Sequence, residues 1–149
     1  MFSKGFEPAT RLMITPTPSD TMAPVSTTPV LRPLAIKITC GAEAAERANQ
    51  AWTVAATAIA SGADVAVWLT GEAVWFAVRD RQPDLGLEHA TPVSDLIETV
   101  RLAGRIVVCT QCAARRDLTP ADLIEGPTIA GAATFVEAVL QPQTQALVY

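Results

Sequence analysis

The residues of this sequence best suited to chemistry are its three cysteines, Cys40, Cys109 and Cys112. Cys109 closes the apolar run Arg105-Ile-Val-Val-Cys109, which reads as a buried β-strand, and with Cys112 it forms the tetrapeptide Cys-Thr-Gln-Cys. A C-x-x-C spacing fits a dithiol redox pair, half of a metal site, or chance. The residues after Cys109 begin a short helical turn, whose unpaired N–H groups favour an anion, and Arg115 and Arg116 follow within two turns. Together these would lower the Cys109 thiol below its reference pKa of about 8.5 and enrich the reactive thiolate at neutral pH. The plain alternative is that Cys109 is a small hydrophobe finishing a strand and that the two arginines are a solvated face.

The other candidates are weaker. Cys40 ends the strand Leu-Ala-Ile-Lys-Ile-Thr, so Cys40 and Cys109 both fall at the carboxyl edge of the expected sheet, where open α/β sheets bind ligands. In a flavodoxin-like strand order the first strand lies beside the third, which would make these two cysteines neighbours. His89 is the sole histidine and falls in a loop. A structural zinc would need a second C-x-x-C, which is absent, or would have to recruit Cys40 and His89 from distant segments, so no metal is expected. Gly71 permits a tight turn in Thr-Gly-Glu-Ala-Val but makes neither a G-x-G-x-x-G nor a Walker loop, and no cofactor is expected. Glu72 complements the start of the helix that follows. Trp52, Trp68 and Trp75 read as core or subunit-interface aromatics.

The elements that must position these residues follow from periodicity. After the strand from Leu34, the Ala-rich run Ala42 to Ser61 predicts a helix ended by Gly62, with Ala45, Ala48, Trp52, Ala55, Ala56 and Ile59 on one face. Ala63 to Leu69 is a second strand, and Glu72 to Asp80 a short helix that must stop before Pro83. Ser94 to Gly104 is a helix capped by Ser94 or Thr91, directly before the strand of Cys109. Thr119 and Pro120 mark a further helix start. Pro127 to Gly131, Ala132 to Leu140 and Gln145 to Tyr149 read as strand, amphipathic helix and strand. Near-continuous apolar strands alternating with helices predict a three-layer α/β/α fold with a mostly parallel five-stranded sheet, flavodoxin-like in arrangement.

Composition sets the outer limits. The chain has 149 residues, enough for one domain with its own core, and is 50% hydrophobic and 17% charged. Thr15 to Pro33 is dense in proline and hydroxyl residues, so residues 1–33 are expected to be a disordered tail and residues 34–149 the folded domain. Met13 and Met22 leave the translation start open between Met1, Met13 and Met22. The folded part keeps 8 basic against 13 acidic residues, an unsuitable balance for nucleic acid. Apolar runs end well before the roughly 20 residues that span a bilayer, and no apolar segment of a secretory signal follows Lys4 and Arg11. An odd number of cysteines fits reduced thiols, so a cytoplasmic location is expected.

With these residues in place, the stretch from Leu34 to Tyr149 resembles the DsrE/DsrF/DrsH-like family, which includes the TusBCD sulfur-relay subunits and proteins labelled predicted peroxiredoxins. The resemblance rests on the opening strand and Ala-rich helix, on SGADVAVWLTGEAV, on RIVVCTQCAARRDL, and on the closing IEGPTIAGAATFVEAVLQPQTQALVY. Cys109, Arg115 and Arg116 match the family's reactive cysteine and following basic pair, whereas Asp117 stands where many members have glycine. The resemblance implies a sulfur carrier or sulfurtransferase that holds persulfide sulfur on Cys109, with sulfur donor and acceptor proteins as partners and a trimeric or hexameric homo-oligomer as the assembly. Cys112 would be a resolving or second acceptor thiol, with Cys40 and Gly71 in support. Two alternatives remain open: a peroxiredoxin-like thiol redox protein using Cys109 and Cys112, and a non-catalytic oligomeric binding module.

Overall fold

The computed structural model describes residues 31–149. Most of the expected tail, together with Met13 and Met22, lies outside the described residues. Within them, five strands alternate with helices: β1 (Leu34–Ile38), α1 (Ala45–Ala60), β2 (Val65–Leu69), α2 (Val93–Ala103), β3 (Arg105–Cys109), α3 (Thr110–Ala114), β4 (Thr128–Ala130), α4 (Ala132–Val139) and β5 (Gln145–Val148). All four strand pairings are parallel, in the order β4-β3-β2-β1-β5. The α/β class and five-stranded parallel sheet are those the sequence predicts. The flavodoxin-like neighbourhood of the first and third strands is not, because β2 lies between β1 and β3.

This order has a physical consequence for the two faces. Crossovers from β1 to β2 to β3 step one way along the sheet, whereas α4 carries the chain back from one edge to the other. Because crossovers share one hand, opposite steps put helices on opposite faces. Ile36, Ile38, Val65, Val67, Leu69, Ile106 and Val108 point to the face covered by α1 and α2 and are buried in the core cluster. Their alternates Ala35, Lys37, Ala66, Trp68, Val107 and Cys109 point to the α4 face, where Phe135 of α4 meets Trp68 edge-on at 5.3 Å.

Most local expectations hold. The buried stripe of α1 is Ala48, Ala51, Trp52, Ala55 and Ala56, and small residues there let the helix lie close to the sheet. Gly62, at φ 89°, ends α1 with Gly62 N–H to Ile59 and Ala63 N–H to Ala58, the paired bonds of a Schellman motif. Two helix starts differ. Neither Ser94 nor Thr91 caps α2; the Pro92 carbonyl accepts from Asp95 and Leu96 instead. Thr119 and Pro120 open only a single 3-10 turn over Pro120–Asp122, closed by the Asp122 carboxylate, which accepts from the Thr119 N–H and hydroxyl at 2.7 Å each.

Trp52 is fully buried, with its ring edge-on to Phe76 at 5.6 Å. Trp52→Ala is therefore expected to cost about 3–5 kcal/mol in urea denaturation; a loss below ~1 kcal/mol would contradict the placement of Trp52 at the centre of the α1–sheet core.

Candidate functional site

Cys109 is the last residue of β3, and its φ of −63° and ψ of 125° keep it extended while the next residue enters α3. It is half-buried on the α4 face of the sheet. Its thiol is subject to opposing influences. Burial pushes the pKa up, but the N–H of Cys112, the S–H of Cys112, the N–H of Gln111 and the charge of Lys37 together bring it below the ordinary thiol value. With α3 only five residues long, these are effects of nearby donors more than of a helix dipole. Lys37 lies on the same face because its register partner is Trp68, whose own partner is Val107, two residues before Cys109. Lys37 also lies 5.4 Å over the Phe135 ring.

Cys112 is buried one turn further on, and its sulfur accepts a hydrogen bond from the Gly71 N–H at 3.2 Å. Gly71 has φ 56°, and a Cβ there would stand 2.6 Å from the Thr39 carbonyl oxygen, so only glycine fits. Gly71 thus connects the ends of β1, β2 and β3.

Arg116 is held by groups other than Cys109. Arg116 donates to Glu72 at 2.6 Å and to the Cys112 carbonyl at 3.1 Å, and Arg115 is exposed. The physical reason is that α3 ends at Ala114, and the turn after it aims Arg116 at the nearest carboxylate, Glu72. The Arg116 hydrogen bond holds Glu72 below the usual carboxylate range; partial desolvation opposes this, and the Trp75 indole N–H, 3.0 Å away, adds to it. Lys37, the cation whose charge lowers the Cys109 thiol from the same sheet face, was not among the residues singled out from the sequence. Its signal was a lone lysine inside an otherwise apolar strand.

Cys40 is not a neighbour of Cys109. It lies two residues beyond β1, is buried in the core on the α1 side, and accepts from Arg47 Nε at 3.3 Å. Two strand spacings separate β1 from β3, roughly 10 Å, beyond the ~7 Å Cα limit for a disulfide. All three cysteines are free thiols. His89 is exposed in a loop at φ 61°, and among the described residues no three His, Cys, Asp or Glu side chains are grouped to hold a metal. A cleft of about 440 Å³ lined by Ala42, Glu43, Glu72, Trp75, Arg81 and Pro83 lies beyond Glu72, and neither Cys109 nor Cys112 lines it.

The DsrE/DsrF-like family matches residues 34–148, nearly the whole described chain. The chain belongs to the DsrE/DsrF-like family. No curated protein matches its sequence. Among solved structures, YchN from E. coli superposes with a TM-score of 0.67 at 16% identity, covering 80% of this chain and 100% of that one. MTH1491 from Methanobacterium thermoautotrophicum, a protein of unknown function, gives 0.58 at 14% identity, covering 80% and 99%. At such identities these likenesses speak for the fold alone. Asp117, which departs from the family's usual glycine, has φ 53°, so the turn after the basic pair keeps the conformation that glycine favours.

Two outcomes are expected. Lys37→Met removes a positive charge from beside the thiolate, so the midpoint of Cys109 alkylation should move to higher pH while Arg115→Met leaves it in place; equal shifts in both variants would contradict the assignment. Gly71→Ala should destabilise the domain by at least about 2 kcal/mol in thermal or urea melts.

Proposed function

We propose that this DsrE/DsrF-like domain is a sulfur carrier or sulfurtransferase that holds sulfane sulfur as a persulfide on Cys109. The observation that carries this reading is the environment of that thiol. It is partly accessible at the carboxyl end of an interior strand, and two backbone N–H groups, a thiol S–H and a lysine charge favour its anionic form. The thiolate, not the thiol, is the nucleophile in sulfur exchange. In the loading step the Cys109 thiolate attacks the outer sulfur of a donor persulfide, R–S–SH. The donor S–S bond breaks, R–S⁻ leaves, and Cys109–S–SH forms. The same donors then hold the charge of the ionised persulfide. Delivery is the reverse exchange with an acceptor thiol.

Sulfur donor and acceptor proteins are the partners this chemistry requires. A homo-oligomer, trimer or hexamer, is supported by the apolar side chains left exposed on the second face and edge of the sheet: Val136 and Leu140 of the α4 segment, and Leu147 and Val148 of edge strand β5. Among the described residues no helix is long and apolar enough to cross a membrane. A second reading, a peroxide-reducing dithiol, is favoured by the C-x-x-C placement of Cys109 at the N-cap of α3 and Cys112 in its first turn. It requires oxidation of Cys109 by peroxide without any sulfane donor.

The test uses Cys112→Ser, which leaves Cys40 and Cys109 as the only thiols. After incubation with glutathione persulfide and desalting, intact mass and peptide mapping should show one added sulfur atom on Cys109. Additional Cys109→Ser should abolish the gain. Sulfur uptake that survives loss of Cys109, or no uptake at all, would overturn the carrier function.

A further inference from the structure

Cys112 is the thiol that follows Cys109 most closely, three residues on in the first turn of α3, and the fold holds it in place. Its sulfur accepts the Gly71 N–H at 3.2 Å, and its own N–H and thiol both favour the anionic form of Cys109. The residue is buried, so reagents reach it less readily than they reach Cys109, and its neighbour in reactivity is Cys109 itself. Cys40, fixed by Arg47 on the other side of the sheet, lies too far away to compete.

We propose that Cys112 discharges the Cys109 persulfide within the same chain, releasing hydrosulfide and leaving a Cys109–Cys112 disulfide, so that the domain acts as a persulfide reductase as well as a carrier. This rests on the carrier reading above and adds a fate for the loaded sulfur. In the step, the Cys112 sulfur attacks the inner sulfur of Cys109–S–S⁻. The Cys109–Sγ to outer-sulfur bond breaks, and the departing sulfur takes the Cys112 proton and leaves as HS⁻. The sulfane sulfur gains two electrons, the two cysteine sulfurs together lose two, and no other oxidant is required. A dithiol reductant then restores both thiols by disulfide exchange.

Geometry favours attack on the inner sulfur. Thiol exchange runs through three sulfurs in line, and Cys112 stands in the turn of α3 that opens directly on Cys109. The outer sulfur can then lie on the far side, toward the open α4 face. Attack on the outer sulfur would require that atom to lodge between the two cysteine sulfurs, on the side where Cys112 is buried and held by Gly71. Cβ atoms three residues apart on a helix are about 5–6 Å apart, whereas a disulfide needs roughly 3.5–4.5 Å. Cys109, still extended at ψ 125° and outside the helix, can rotate to close that difference.

The experiment follows the loaded protein after removal of all small thiols. The full chain and its Cys112→Ser and Cys112→Ala variants are charged with glutathione persulfide and desalted. Free hydrosulfide, persulfide on Cys109 and the Cys109–Cys112 disulfide are then measured over time. The unaltered chain should release one hydrosulfide per disulfide formed, and its persulfide should decay at least tenfold faster than in either variant. Cys40→Ser should discharge as the unaltered chain does. Equal persulfide lifetimes with and without Cys112, or migration of the sulfur onto Cys112 without hydrosulfide release, would remove the discharge step and leave the carrier reading standing. Absence of sulfur uptake in the Cys112 variants and the unaltered chain alike would remove both.

Discussion

The approach of Gly71 to the Thr39 carbonyl is the constraint on which the rest of the site depends. A left-handed glycine with no room for a side chain lets the end of β2 press against the end of β1. The same N–H that this turn frees then points at the Cys112 sulfur. Three strand ends are thereby tied at one edge of a parallel sheet, and the first turn of α3 is held against them. A larger residue at position 71 would displace both the turn and the thiol it supports.

Charge at this edge is divided between a lysine on the Cys109 face of the sheet and an arginine that ties scaffold groups together. Arg116 satisfies Glu72 and the Cys112 carbonyl, and with Trp75 it fastens the 3-10 segment over Gly71–Ala77 to the turn after α3. The Arg116–Glu72 pair is half exposed on the carboxylate side, so its worth lies in orientation more than in net stability. Lys37 lies two strands away on the same α4 face, and its charge contributes to lowering the Cys109 thiol. An ion-paired arginine close to the thiolate would be largely neutralised; a lysine resting on an aromatic ring keeps its field available.

The two faces of the sheet have different work. The α1–α2 face holds the packed core and Cys40, a thiol enclosed among Ile36, Ile38 and the small residues of α1. The α4 face is thinly covered, and α4 itself has no buried residue. Cys109, half-buried, lies on this second face. Side-chain alternation along the strands thus leaves it on the less covered side of the sheet.

The sequence by itself determined the elements and the pair of thiols. Apolar runs of five residues, the Ala-rich stripe of α1, Gly62 as a helix stop and Cys109-x-x-Cys112 at a strand-to-helix junction are local patterns, and local backbone preference and periodicity decide them. Helix caps were less legible: Pro92 supplies a carbonyl where Ser94 and Thr91 offer side chains, because the bend before α2 is set by what it packs on. Only the tertiary structure decided which distant groups meet. Strand order moved Cys40 away from Cys109 and placed β2 between them. The same order put Lys37 on the sheet face of Cys109, and the turn after α3 sent Arg116 to Glu72. These are pairings between residues roughly 40 to 70 positions apart, and no spacing along the chain encodes them. They depend on which strands lie side by side and on which face each side chain emerges, quantities that exist only once the sheet has formed.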